Sequence, residues 1–238
     1  MPKAKKSTQA PSPETPLAWP VVSRKDYVEA EVLEQDQIIV IADFLSPDEC
    51  ASFARFVAKQ ALTTTPPAKR GEADRVNDRI SIQSENFAQS LYRALEPHVS
   101  HLASFQTHLS PAAQPVALNQ NIRLYRYSDG QYFGPHYDDS ISYTTASGEN
   151  IWSEWTLLVY LTGVEDGVVG GETIFYKPAP KKKPSPPPIV PSLNRGTALL
   201  HRHGKECMLH EGALVQSGTK LVLRSDLMFS QAKVPNDS

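Results

Sequence analysis

The chain has 238 residues, of which 40% are hydrophobic, enough for one domain with a substantial core. Its formal net charge of -2 argues against a nucleic-acid partner, and no apolar run approaches the roughly 18 residues that a membrane-spanning helix needs. The two cysteines, Cys50 and Cys207, form no C-x-x-C pair, and the polar N-terminus has no secretory signal. We therefore predict a cytoplasmic or nuclear protein without a membrane partner.

Composition divides the chain into three segments. Residues 1–35 are rich in Pro, Lys, Ser and Glu without sustained periodicity, which predicts a disordered basic tail. Residues 36–232 carry the periodic patterns and are predicted to form one domain, followed by a flexible C-terminus at 233–238.

The start of the domain is predicted to hold a strand and then a helix. The β-branched, apolar run 37–43 is typical of a short buried strand. Ser46 and Glu49 match a capping box with Pro47 at the first helical position, so a helix is predicted from there to about residue 62.

A second helix is predicted over residues 84–95, where Phe87 and Leu95 fall on one apolar face. Pro97 is expected to end it, because proline lacks a backbone N–H and clashes with the preceding turn. The histidines that follow, starting with His98, are expected to lie on the surface.

Short β-rich runs alternate with turns in the second half of the domain. They cover residues 121–127, 155–164, 172–177, 196–203, 213–216 and 219–229. Helices first and strands later predict an α+β, mainly β domain, in which N-terminal helices brace a sandwich or barrel. The Pro/Lys-rich stretch 177–192 is predicted to be an exposed loop inserted between strands.

His136 and Asp138 form an H-x-D pair. Residues two apart in an extended segment point to the same side, so both side chains can reach one metal ion. A non-haem Fe(II) centre needs two histidines and one carboxylate, although an isolated H-x-D is also common as a surface histidine beside an aspartate. His201 and His203 form a second pair that, together with His210, offers an alternative Zn(II) or Cu(II) site.

Four motifs in a fixed order carry a family resemblance. They are YSDGQYFGPHYD at 127–138, YLT at 160–162 followed by GGET at 170–173, HEG at 210–212, and GTK at 218–220. On these motifs, the chain from about residue 37 to 230 resembles the prolyl 4-hydroxylase-like branch of the 2-oxoglutarate/Fe(II) oxygenases. The resemblance implies a double-stranded β-helix, or jelly roll, with helices packed on one side.

The resemblance also implies a catalytic centre in which His136, Asp138 and His210 ligate Fe(II). In that family 2-oxoglutarate chelates the iron, and its far carboxylate needs a buried cation. Lys220 matches the family position for that cation. Arg224 shares its strand face and is the alternative, unless it pairs structurally with an acidic neighbour.

Tyr127 and Tyr160 match positions where relatives place a hydroxyl near the cosubstrate, and the alternative is that both are core tyrosines on strands. The implied reaction consumes O2 and 2-oxoglutarate, releases succinate and CO2, and hydroxylates the substrate, with ascorbate as a candidate reductant. The carboxylate of Asp138 favours hydroxylation over halogenation, and demethylation stays open.

The sequence does not identify the substrate, which is a protein side chain or a small molecule. The loops at 63–80, 139–155 and 177–192 are expected to contact it, with 139–152 as a candidate lid. Three interpretations compete with an enzyme. The first is a jelly-roll binding module without turnover. The second is a protein that holds Zn(II) or another divalent metal ion with the same three ligands, and the third is a scaffold recruited through its Pro/Lys-rich loop and basic tail.

Overall fold

A computed structural model describes residues 17–26, 28–102, 105, 113–145, 147–179 and 184–231. The predicted flexible C-terminus and the first sixteen residues of the predicted tail lie outside these ranges. The helices are α1 (Pro47–Ala58) and α2 (Glu85–Val99). The strands are β1 (Ala30–Glu34), β2 (Ile38–Ile41), β3 (Thr63–Thr64), β4 (Arg75–Val76), β5 (Asp78–Gln83), β6 (Ala113–Leu118), β7 (Asn121–Tyr127), β8 (Tyr132–His136), β9 (Ser142–Thr144), β10 (Asn150–Tyr160), β11 (Val169–Gly170), β12 (Thr173–Tyr176), β13 (Ala198–Arg202), β14 (Leu209–Gly212), β15 (Val215–Ser217) and β16 (Lys220–Gln231). No helix in this part of the chain is long and apolar enough to cross a membrane.

Two large antiparallel sheets and one two-stranded sheet make up the described part of the domain. The larger runs in the order β1-β2-β13-β10-β16-β7-β5-β3, with β6 beside β16 and β9 beside β10. The smaller runs in the order β12-β14-β8-β4, and β11 pairs with β15 apart from both. Side chains of the two sheets meet in a shared core that includes Tyr125 and Val222 from the larger sheet and Phe175 from the smaller. This arrangement confirms the predicted mainly β jelly roll.

The central strand β16 packs side chains on both faces of the larger sheet. Leu221 and Leu223 belong to the core that packs against the helices, whereas Val222 belongs to the core between the sheets. Side chains alternate along a strand, so Lys220 and Arg224 share the side of Val222. Both line the cavity between the two sheets.

Helix α1 begins as predicted. The hydroxyl of Ser46 accepts a hydrogen bond from the Glu49 N–H at 3.2 Å, and the Glu49 carboxylate accepts one from the Ser46 N–H at 2.7 Å. The helix ends at Ala58, before the predicted residue 62, where the N–H of Lys59 closes the last turn.

Helix α2 corrects a prediction, because it continues past Pro97 to Val99. Pro97 lies in the last turn, where its missing N–H costs a single backbone hydrogen bond. The buried face of the helix continues through Leu95 and Val99, so tertiary packing favours the extra turn. His98, predicted to be a surface residue, is only 5% exposed for the same reason.

The predicted tail boundary at residue 35 is wrong. Ala30–Glu34 forms β1 and pairs with β2, the strand predicted over 37–43. Farther upstream, Trp19 stacks on Phe87 with ring centroids 4.0 Å apart. The segment is ordered because a strand edge and an apolar helix face supply partners that its own composition does not reveal.

The Pro/Lys-rich stretch connects β12 to β13. Its described parts, 177–179 and 184–192, contain no helix or named strand, although Ile189 forms a β-bridge with Phe175. Within the candidate lid, Ser142–Thr144 forms β9 and pairs with the start of β10, so this part of the lid is a hairpin of the larger sheet.

Candidate metal centre

The structure brings together the three predicted metal ligands. His136 on β8 and His210 on β14 are direct cross-strand partners, and Asp138 follows two residues after His136. The Nε2 atom of His136 lies 3.8 Å from Asp138 Oδ1, and the Nε2 atom of His210 lies 3.7 Å from Asp138 Oδ2. These separations are short enough for one ion to contact all three side chains.

Both imidazoles are oriented by backbone carbonyls. The Nδ1 atom of His136 lies 2.9 Å from the carbonyl oxygen of Gly134, and that of His210 lies 2.9 Å from the carbonyl oxygen of Met208. A carbonyl only accepts, so each Nδ1 carries the proton and each Nε2 keeps its lone pair for a metal. Burial lowers the pKa of His210 and lowers that of His136 to about 4, so both rings are neutral at pH 7.

The carboxylate of Asp138 is held by two donors. Arg224 Nη1 donates to Oδ1 at 3.1 Å, and the hydroxyl of Thr156 donates to Oδ2 at 3.0 Å. Burial alone would raise the pKa of Asp138, but Arg224 and the surrounding histidines outweigh it and hold that pKa well below its usual range. The third ligand is therefore ionised and fixed in orientation.

A polar network continues behind Asp138. The hydroxyl of Thr156 also lies 3.0 Å from His203 Nδ1, and His203 Nε2 lies 2.8 Å from the hydroxyl of Ser153. Both nitrogens of His203 are thus engaged with hydroxyls. His203 supports the ligand carboxylate through Thr156 and does not face the metal position.

His201 is a third imidazole beside the metal position. Its Nε2 lies 3.6 Å from Asp138 Oδ2, and its ring centroid lies 4.5 Å from that of His210. Burial holds the pKa of His201 well below its ordinary value. In the alternative Zn(II) or Cu(II) set, only this member of the His201/His203 pair approaches the other ligands.

Cys207 also lies beside the centre. Its Sγ is 3.9 Å from Nδ1 of His210, the nitrogen already engaged by the carbonyl of Met208. Burial raises the pKa of Cys207 to about 11, which disfavours the thiolate that a metal ligand requires. The set with two imidazoles and one carboxylate is therefore the better metal site.

Lys220 lies at the other end of the same cavity. It is only 4% exposed, donates a hydrogen bond to the carbonyl of Gly171, and lies 5.5 and 5.4 Å from the ring centroids of Tyr127 and Tyr160. Burial lowers the pKa of Lys220 to about 8. Among the described residues it forms no ion pair, so its ammonium is available to an anion.

The cavity joins the two ends and has a volume of about 430 Å³. Besides the metal ligands and Lys220, its walls are mainly apolar and aromatic: Tyr125, Phe133, Leu158 and Val222 among others. Apolar walls with a few polar groups directed into the same space are typical of a site for one small molecule.

Arg224 is engaged at the metal end. Besides Asp138, it contacts Asp226, whose Oδ1 lies 3.5 Å from its Nη2. Burial opposes its charge, but Asp138 raises the pKa of Arg224 above its ordinary value. The structure therefore separates the two candidate cations: Arg224 is paired with carboxylates, and Lys220 pairs with none among the residues that the structure describes.

The two predicted tyrosines are buried, and burial raises the pKa of both Tyr127 and Tyr160, so both hydroxyls stay protonated. The hydroxyl of Tyr160 lies 2.8 Å from that of Thr173, a cavity residue that sequence reasoning missed. Thr173 is the last residue of the GGET motif, which is the signal that would have identified it.

Comparison with known proteins agrees with this geometry. No protein-family model matches the chain. Prolyl 4-hydroxylase 1 of Arabidopsis thaliana is 28% identical over 148 residues, which are 58% of this chain and 46% of that protein, so the chain spans about half the length of this relative.

Two solved structures cover most of the chain. A viral collagen prolyl hydroxylase from Paramecium bursaria Chlorella virus-1, in complex with 2-oxoglutarate, has a TM-score of 0.51 and 22% identity over 82% of this chain and 96% of that one. A prolyl hydroxylase from Trichoplax adhaerens, in complex with a hypoxia-inducible-factor peptide fragment, has a TM-score of 0.52 and 14% identity over 81% of this chain and 84% of that one. The fold is that of the 2-oxoglutarate/Fe(II) oxygenases. The resemblance to their prolyl 4-hydroxylase-like branch, predicted from the motifs, is confirmed.

The donor set of this oxygenase fold fits Fe(II). Two neutral imidazole nitrogens and one carboxylate suit ferrous iron, and no thiolate is among the three. The unpaired ammonium of Lys220 in the same cavity fits the second carboxylate of 2-oxoglutarate.

Proposed function

We propose that this protein is a 2-oxoglutarate- and Fe(II)-dependent dioxygenase that hydroxylates its substrate. The observation that carries the proposal is that His136, Asp138 and His210 share one buried cavity with the unpaired ammonium of Lys220. When bound, Fe(II) with 2-oxoglutarate and O2 supplies the oxidising chemistry, and 2-oxoglutarate leaves as succinate and CO2.

Two sets of side chains form the metal site, namely the metal ligands and the residues that orient them. His136, Asp138 and His210 hold the ion, and Arg224 and Thr156 fix the carboxylate of Asp138 from behind. Because the orienting residues are themselves buried or paired, the ligands keep their orientation before any metal binds.

Lys220 binds the far carboxylate of 2-oxoglutarate at the closed end of the cavity. The pairing is strong because both charges are removed from water. The rings of Tyr127 and Tyr160 flank the ammonium and leave little room for solvent around it. Leu158 and Val222 supply apolar walls that exclude water from the cosubstrate.

The substrate is a protein side chain or a small molecule. A protein substrate is favoured by the similar hydroxylase from Trichoplax adhaerens, which holds a peptide, and by the similarity to a prolyl 4-hydroxylase. Asp138 occupies the carboxylate position, and this favours hydroxylation as the outcome.

Succinate formation tests the activity without a known substrate. The purified protein with Fe(II), ascorbate, 2-oxoglutarate and O2 is expected to release succinate slowly. His136→Ala should abolish this release, because two ligands hold the metal poorly. His101→Ala, which removes an exposed histidine, should release succinate at the unchanged rate. The proposal fails if wild-type protein neither binds 2-oxoglutarate nor forms succinate, or if His136→Ala retains full turnover.

A further inference from the structure

A wide groove opens beside the metal centre and is lined by arginines. Its volume is about 1520 Å³, and His136 and Asp138 form part of its wall. We call it the basic groove. Its described cationic side chains are Lys69, Arg75, Arg79, Arg123 and Arg224, against the acidic Glu72, Asp138 and Asp139. The groove is thus locally positive in a chain whose formal net charge is -2.

The larger sheet places three of these arginines on one face. Arg123 on β7 is the cross-strand partner of Arg224 on β16 and of Ser81 on β5, and Arg79 lies two residues before Ser81 on the same side of β5. Such a row of like charges on adjacent strands is unfavourable unless something neutralises it.

The smaller sheet supplies the opposite wall. Arg75 on β4 is the cross-strand partner of Phe133 on β8, and its guanidinium lies 4.6 Å from the centroid of that ring. Burial lowers the pKa of Arg75, and the nearby charge of Arg79 lowers it further. Arg75 is therefore fixed by stacking beside another cation.

The protein neutralises only the inner part of the groove. Arg224 pairs with Asp138, and Arg123 lies 3.6 Å from Asp226. Arg75 and Arg79, by contrast, form no ion pair with any residue that the structure describes. In the described part of the chain, the outer groove therefore has two guanidinium groups that pair with no carboxylate, next to the metal ligands.

We propose that the basic groove binds an acidic peptide, so that the side chain to be hydroxylated is flanked by Asp or Glu residues. This inference rests on the proposed function, because the groove leads to the metal ligands. Guanidinium groups bind carboxylates through paired hydrogen bonds, so the side chains of Arg75 and Arg79 favour a chain that carries Asp or Glu residues.

Apolar side chains complete the walls of the groove. Pro66, Pro67 and the largely exposed ring of Tyr137 provide apolar contacts for an extended chain, and a polypeptide with aliphatic side chains can fill them better than a sugar–phosphate backbone.

Fluorescence anisotropy tests the inference with protein loaded with Mn(II) and 2-oxoglutarate. The probes are three labelled dodecapeptides that differ only in alternate positions, which are Glu, Ser or Lys, and a single-stranded oligothymidylate of the same charge as the Glu peptide. The Glu peptide is expected to bind at least about tenfold more tightly than the Ser peptide, and its affinity should fall with added salt.

Two arginine variants locate the binding. Arg79→Gln and Arg75→Gln should each weaken binding of the Glu peptide about tenfold, the typical loss for one charge-assisted hydrogen-bonded contact. The matched control Arg55→Gln removes an exposed arginine of α1, away from the groove, and should leave the affinity unchanged. Circular dichroism checks that all three variants are folded.

The outcomes separate this inference from the proposed function. The inference is overturned if the Ser or Lys peptide or the oligothymidylate binds as tightly as the Glu peptide, or if neither groove variant weakens binding. If one of these results is found together with an absorption band that depends on iron and 2-oxoglutarate, the oxygenase function is supported and the acidic substrate is not. If the Glu peptide binds in a manner that depends on Arg79 but the protein shows no such band, peptide binding by the groove is supported and the oxygenase function is not.

Discussion

Arg224 Nη1 lies 3.1 Å from Oδ1 of Asp138, so the carboxylate between the two ligand histidines is paired with a buried guanidinium before any metal is bound. This pair compensates a negative charge that is only 8% exposed. It also keeps Arg224 at the metal end of the cavity and leaves the other end to Lys220.

Removal of that guanidinium should destabilise the metal-free protein. Arg224→Met leaves the carboxylate of Asp138 buried without a cation, and we expect the free energy of unfolding to fall by about 3 kcal/mol. A bound divalent ion restores the missing positive charge, so Mn(II) should raise the melting temperature of the variant more than that of wild type. Urea unfolding with and without Mn(II) measures both effects. Equal stability of Arg224→Met and the exposed control Arg55→Met would contradict this account.

Lys220 should control the requirement for 2-oxoglutarate. Lys220→Met removes the unpaired ammonium, and we expect the half-saturating 2-oxoglutarate concentration to rise about 100-fold, as for loss of one partner of a desolvated charge pair. Metal affinity should stay within about twofold, since Lys220 is not among the residues at the metal position. Titration of 2-oxoglutarate into Mn(II)-loaded protein measures the change. A larger effect in Arg224→Met than in Lys220→Met would reverse the assignment of the two cations.

His201 should behave as a neighbour of the metal and not as a ligand. His201→Phe keeps an aromatic ring beside Phe175 and Asp138, and we expect metal affinity to change by no more than about tenfold, with one ion still bound. His136→Ala serves as the comparison, because it removes a ligand nitrogen and should abolish binding. If the two variants lose the metal equally, His201 completes the coordination sphere.

The capping box of α1 gives a pH-dependent stability. Burial alone would raise the pKa of Glu49, but Lys25 at 2.8 Å and the N–H groups of Ser46 and Ser23 outweigh it and lower that pKa to about 2. A carboxylate with a folded-state pKa below its unfolded value stabilises the fold fully above about pH 4.5, and this stability is lost as the pH falls toward 2.

Glu49→Gln should therefore lower the free energy of unfolding by about 1–2 kcal/mol at pH 7, a value reduced by solvent screening near the surface. The difference from wild type should shrink below pH 4.5. Urea unfolding at pH 7, 5 and 3.5 measures it, with Glu31→Gln on the exposed part of β1 as the control. A difference that stays constant down to pH 3.5 would show that the charge of Glu49 has no role.

The sequence alone was sufficient to predict the candidate metal ligands and the regular strands. β7 and β16 were predicted to within two residues, because each has several aliphatic or aromatic residues within one short segment. The motifs named His136, Asp138 and His210, which the structure places in one cavity. Strands and short motifs of this kind can be predicted because they depend on residues that are close together in the sequence.

Contacts between distant residues were not predictable. β8 and β14 were missed, because a strand containing Gly134 and Pro135 and a four-residue strand at Leu209–Gly212 have weak propensity on their own. Their pairing sets His136 opposite His210, and it depends on register between segments far apart in the chain. The basic groove could not be predicted for the same reason, since its arginines come from four separate strands.

The central claim is tested most directly by the visible spectrum of the anaerobic protein during addition of Fe(II) and then 2-oxoglutarate. We expect a new metal-to-ligand charge-transfer band on addition of 2-oxoglutarate to the iron-loaded wild type, and none with His136→Ala. That band would show that the cosubstrate chelates iron held by this site. Iron binding without a band would contradict the cosubstrate role of the Lys220 end of the cavity. Failure to bind either would contradict the oxygenase assignment and favour a jelly-roll binding module.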